Sequence, residues 1–198
     1  MPKRVDHDER RRHIAAALLT IAEQRGLQHA SMREVAAAAG VSVRLLQYYF
    51  TTKDELVLAA LGFLTAELDA RFRRRIRELG SPPEPRDVVY ATLLAVLPTD
   101  PESVRLTRTY AAFYSLVLVE PHLVKDGTPQ PDGLERFLAG QLRAAQEAGV
   151  ARAGLDPDLT AAGLLAMTNG LGSSVLGGQR DAQEAVRVLR YHLDGLFV

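Results

Sequence analysis

Residues 31–50 hold two helix starts with one forced turn between them, and few folds accept that pattern. Ser31-Met-Arg-Glu34 is a capping box: the Ser31 hydroxyl serves the backbone near Glu34, and the Glu34 carboxylate reaches back. The helix it opens runs through Ala39 and stops at Gly40, and Ser42 then caps a second short helix through Phe50. Helices joined so tightly cross closely, which asks for an apolar residue beside a small one and a glycine at the turn. Val35, Ala36 and Gly40 meet those demands, and Val41 plugs the core behind the turn. On the second helix Leu46 and Phe50 lie four apart and form the inward stripe. Arg44 and Tyr48 then point nearly opposite, with Leu45 and Gln47 on the flanks. These positions face the groove if the helix enters DNA; otherwise the pair is a plain helical hairpin.

The rest of the chain continues the helical period. Ile14, Leu18 and Ile21 recur at i, i+4 and i+7 and predict a first helix ended by Gly26. Thr52-Lys-Asp-Glu55 is another capping box, opening a long helix to near Leu79. Gly80-Ser-Pro-Pro-Glu-Pro85 is the clearest break. Further helices are predicted over 86–97, 102–119, 131–148, 157–176 and 181–196, with prolines and glycines between them. No run alternates apolar and polar residues long enough for a sheet, so the chain is expected to be all-α with about nine helices.

Charge separates the two ends. Residues 1–53 hold nine Lys/Arg against five Asp/Glu, whereas the whole chain of 198 residues is neutral. A basic N-terminal quarter fits a polyanion partner, and a solvated basic tail gives the same count. Cysteine is absent, which excludes disulfides and thiolate-ligated metals. The histidines at 7, 13, 29, 122 and 192 show no ligand spacing, so neither metal nor cofactor is expected. No phosphate loop, G-x-G-x-x-G, H-E-x-x-H or G-x-S-x-G occurs, which argues against an enzyme. The first 25 residues carry charges throughout, so no signal peptide is expected and cytoplasm is the default. Leu159–Gln179 is uncharged and long enough to span a bilayer. Its serines, threonines, Asn169 and glycines make it a poor membrane helix and a better buried or interface helix, and no membrane partner is expected.

Residues 10–60 resemble the DNA-binding domain of the TetR family of transcriptional regulators. The resemblance is carried by Ile14-Ala-Ala-Ala-Leu18, Ser31-Met-Arg-Glu-Val-Ala36, Ala39-Gly-Val-Ser42, Tyr48-Tyr-Phe50 and Lys53-Asp-Glu-Leu56. It implies a helix-turn-helix domain over 1–56 and a helical effector-binding and dimerisation domain over 57–198. Arg44, Leu45, Gln47 and Tyr49 depart from the family's usual small residue, threonine, tyrosine and histidine. Base preference is therefore read from these side chains themselves. Arg44 can pair bidentately with guanine and Gln47 with adenine, or Arg44 holds a phosphate instead. Ser42, Tyr48 and Tyr49 offer hydroxyls to the DNA backbone, Arg33 adds a charge, and Leu45 either touches a thymine methyl or simply covers the helix surface. Lys53 starts a helix whose exposed N–H groups, with its own charge, can meet a phosphate. Lys3, Arg4 and Arg10–Arg12 form either a minor-groove arm or a disordered tail.

A single helix-turn-helix discriminates poorly, so a homodimer on a palindromic double-stranded operator is expected. Gly163, Gly170 and Gly177 stand seven apart, and Val186, Leu189, Leu193 and Leu196 follow 3-4-3 spacing. Two such helices per subunit suit a four-helix interface, and an internal core pair is the alternative. The resemblance further implies an effector pocket among the middle helices. Tyr90, Tyr110, Phe113, Tyr114, His122 and Asn169 are its candidate contacts for a small apolar effector. The implied function is a repressor released by that effector. The rivals are an all-helical interaction module without DNA binding and a cofactor-free enzyme.

Overall fold

The computed structural model describes residues 7–80, 82–120, 123 and 132–198. Among them stand nine α-helices, one 3-10 turn (Leu27–His29) and no strand. The helices are α1 (His7–Arg25), α2 (Met32–Ala38), α3 (Val43–Tyr49), α4 (Lys53–Glu78) and α5 (Pro85–Val96). They continue with α6 (Pro101–Val119), α7 (Asp132–Glu147), α8 (Pro157–Leu176) and α9 (Ala182–Asp194). Two compact units divide the chain, one of Met1–Glu67 with Arg108–Pro129, the other of Leu68–Thr107 with Gln130–Val198. The division falls inside α4 and α6, and α4 runs unbroken past residue 56.

In the first unit α1 packs on α2 and α2 on α3. Ile14, Leu18, Val35, Leu46 and Phe50 are completely buried there. The Ser31 capping box forms as expected: Ser31 N–H donates to Glu34 Oε2 at 3.0 Å, and Glu34 N–H donates to Ser31 Oγ at 3.2 Å. The backbone and side-chain bonds from Ser31 hold the Glu34 carboxyl below its ordinary value. Gly40 takes φ 63°, the left-handed conformation that a side chain disfavours, and so turns the chain from α2 into α3. The expected box at Thr52 forms only half-way. Glu55 N–H donates to Thr52 Oγ1 at 3.2 Å, but the Glu55 carboxylate turns to Thr51 N–H at 2.8 Å.

The second unit packs α5, α7, α8 and α9 around Leu93, Leu138, Leu142, Leu164 and Leu189. Asp156 caps α8 ahead of Pro157, and Asp181 caps α9 through Glu184 N–H at 2.7 Å. An antiparallel bridge between Ala151 and Phe197 ties down the segment after α9. The α8 helix is long and apolar enough to cross a membrane by length and composition, but Ala161, Leu164, Leu165, Thr168 and Leu171 are buried in this unit.

The α9 stripe is corrected by the fold. Leu189 (0% exposed) and Leu193 (3% exposed) belong to the internal core, with Val186 and Leu196 packed half-buried against it. Heptad-like spacing specifies an apolar face but not which helix covers it. The glycine series also divides. Gly177 is the α8 C-cap, with Gly178 at φ 73° beyond it, so it has a local reason. Gly163 and Gly170 lie mid-helix and exposed, and a Cβ added at either meets nothing within 4 Å. They share an outward strip with Leu159, Ala166 and Ser173, all exposed and uncharged, at alternating steps of four and three.

Candidate nucleic-acid interface

Burial of Leu46 and Phe50 fixes the roll of α3, and the remaining side chains follow from it. Arg44, Leu45, Gln47 and Tyr48 lie outside, Tyr48 at 71% exposure. Ser42 is exposed, and its oxygen accepts Leu45 N–H at 3.1 Å, so the same side chain that starts α3 edges the surface. Lys53 is exposed in the first turn of α4, and Arg33 is exposed on α2. A guanidinium and a carboxamide on one open helix face carry the donor and acceptor pairs that match guanine and adenine edges. Hydroxyls and two further cations around them suit phosphate oxygens.

Tyr49 is a correction to that set. It is buried, with its ring 5.7 Å from His7 and edge-on to Tyr48 at 5.1 Å. Leu46, Tyr49 and Phe50 stand at i, i+3 and i+4, the ordinary width of a buried helix face, and Tyr49 therefore supports the surface from beneath. The basic run Arg10–Arg12 is also not simply an arm. Arg11 donates to the Tyr49 carbonyl oxygen, and its guanidinium lies 4.3 Å over the Phe50 ring. His13 Nε2 lies 2.9 Å from the Ala39 carbonyl oxygen. Lys3 and Arg4 lie outside the described residues.

The candidate effector contacts fall in both units and fare differently. Tyr110, Phe113 and Tyr114 belong to the first unit; Phe113 is fully buried, and the two tyrosine rings stack at 6.0 Å and 11°. Burial, with Tyr114 beside it, pushes the Tyr110 phenol above its ordinary value. Tyr90 and Asn169 belong to the second unit. The Tyr90 hydroxyl accepts from Arg190 Nε at 2.9 Å, so its polar end already has a partner. Asn169 is exposed and Thr168 is buried in its place, because α8 turns its uncharged strip outward. His122 lies outside the described residues. No cluster of metal-ligating side chains occurs among the described residues.

Comparison with known proteins covers nearly the whole chain. Residues 14–60 match the family described as bacterial regulatory proteins, tetR family, and residues 85–198 match the BetI-type transcriptional repressor C-terminal family. The HTH-type transcriptional regulator PksA of Bacillus subtilis is 28% identical over 201 residues, covering 100% of this chain and 95% of its own. A transcriptional regulator of Rhodococcus sp. superposes with a TM-score of 0.78 at 28% identity, covering 94% of this chain and 95% of that one. A transcriptional regulator from Saccharomonospora viridis, solved in complex with choline, gives a TM-score of 0.72 at 25% identity, covering 96% and 99%.

Proposed function

The chain belongs to the TetR family of transcriptional regulators, and on that premise we propose that it is a repressor. It binds a palindromic operator as a homodimer and leaves it when a small effector occupies the C-terminal domain. One observation carries the reading: α3 with its C-cap buries Leu46, Tyr49 and Phe50 and turns Arg44, Gln47 and Tyr48 to solvent, with Ser42 as its N-cap and Lys53 exposed in the first turn of α4. In this reading residues 1–56 read DNA, and residues 57–198 bind the effector and dimerise. Arg44 and Gln47 meet base edges, Leu45 meets a thymine methyl or the groove wall, and Arg33, Ser42, Tyr48 and Lys53 hold the backbone.

The dimer is assigned to the outward strip of α8. Glycine within a helix costs about 1 kcal/mol relative to alanine, and neither Gly163 nor Gly170 has a neighbour in its own chain that requires it. Close approach of a second α8 supplies the reason. The name of the matched C-terminal family supports repression, and the choline held by the Saccharomonospora relative supports a small-molecule effector. Tyr110, Phe113 and Tyr114 are its assigned contacts. Effector and operator oppose one another only so far as each prefers a different state of the dimer. Selection of random duplexes by the purified chain tests the reading: an enriched site with inverted symmetry is expected, and enrichment of no duplex overturns it.

A further inference from the structure

Two side chains of α1 hold the ends of the helix pair, and the proposed reading of DNA leaves them without a role. The α2 helix ends in a Schellman turn, with Gly40 N–H donating to Ala37 O at 3.1 Å and Val41 N–H to Ala36 O at 2.9 Å. The Ala39 carbonyl lies beyond those two bonds, and His13 Nε2 stands 2.9 Å from it. At the end of α3 the last N–H, from Phe50, donates to Leu46 O at 2.9 Å. The Tyr49 carbonyl is one of the terminal acceptors that no later helical N–H reaches. Arg11 serves it, and the face of the same guanidinium covers Phe50. His7, one turn earlier, adds ring contacts to Tyr48 at 6.3 Å and Tyr49 at 5.7 Å. Both carbonyls sit at the negative ends of their helices, where a cation or an N–H donor is favoured.

We propose that Arg11 and His13 are positioning residues for DNA reading. Each ties the C-terminal end of one helix of the pair to α1, and together they set the angle at which α3 is presented. The proposal rests on α3 entering the groove, but assigns neither residue to the DNA. Hydrogen bonds to base edges demand one orientation of α3, whereas phosphate contacts tolerate several. Loosening α3 therefore costs discrimination before it costs general affinity.

The test uses the full chain, the duplex that the wild type enriches, and a scrambled duplex of equal length. Arg11→Met and His13→Leu are each expected to weaken the enriched duplex about ten-fold, the scale of one lost hydrogen bond. Affinity for the scrambled duplex and the slope of affinity against salt stay as in the wild type. A chain that has merely lost its fold loses both duplexes, so the ratio between them decides. His13→Gln, whose amide N–H can stand where the imidazole Nε2 stands, restores reading of the enriched duplex. An Arg11→Met chain that weakens both duplexes alike and flattens the salt slope by about one identifies a phosphate contact and overturns the proposal. So do variants that read the enriched duplex as well as the wild type, or a His13→Gln chain no better than His13→Leu. If the wild type enriches no duplex at all, it is the DNA reading that fails, a result distinguishable from these.

Discussion

Gln47 and Lys53 test, at the level of single side chains, the proposed division between base reading and backbone holding. Both are exposed, one on α3 and one in the first turn of α4. Gln47→Ala is expected to cost about 1–3 kcal/mol at particular base pairs and little elsewhere. Lys53→Ala is expected to weaken every duplex and lower the salt slope by about one. Fluorescence anisotropy on the enriched duplex, its single-base variants and a salt series checks both; equal losses on all sequences would sink the division. Much at this scale was legible beforehand. The Ser31–Glu34 box and the Gly40 turn depend on residues within a few positions of one another, and both form. An inward face of Leu46 and Phe50 alone leaves out Tyr49, which the i+3 spacing from Leu46 places on the same buried face.

At the scale of elements, the second half of α4 is tied to the start of α6 by charge. Arg71 is 4% exposed and reaches Asp100 at 2.5 Å, Glu102 at 2.7 Å and the Ala95 carbonyl at 3.4 Å. Arg74 adds a contact to Glu102 at 2.8 Å, and Arg75 one to Asp100 at 3.4 Å. Burial pushes both carboxyls up, but for Asp100 the Ser103 N–H and Arg71, and for Glu102 Arg74 and Arg71, outweigh it and hold both below their ordinary values. A carboxylate with a lowered folded value contributes stability above its unfolded value and loses it as pH falls through the folded one. Wild-type melting temperature is therefore expected to fall on acidification below the ordinary 4.5 and 3.8 of Glu102 and Asp100, and to fall less in Asp100→Asn. Arg71→Met is expected to cost about 2 kcal/mol at neutral pH, since the guanidinium is buried while its partners remain hydrated enough to stand alone. Circular dichroism melts across that pH range check both expectations, and an unchanged Arg71→Met curve would refute the second.

For the whole molecule, the proposed dimer makes the exposed strip of α8 the place to test whether one chain or two read DNA. Gly170→Arg introduces a charge where the protomer itself has open space, so helix content and melting of the protomer are expected to hold. Sedimentation mass is expected to fall from two chains to one. Operator affinity is expected to fall with it, because half-sites then lose their geometric link. An unchanged mass would remove α8 from the interface.

Sequence by itself determined the all-helical class, the bounds of the helices after the first to within about two residues, and the inward placing of Leu46 and Phe50 on α3. Caps, positive-φ glycines and the 3.6-residue period are local physics, written in neighbours along the chain. Tertiary structure decided what covers each apolar stripe. It took Leu189 and Leu193 inward, left the Gly163 and Gly170 strip outward, turned Asn169 to solvent, and spent Arg11 on a carbonyl rather than on an arm. Those outcomes depend on which distant element supplies the facing surface, and a period along the chain carries no record of its partner.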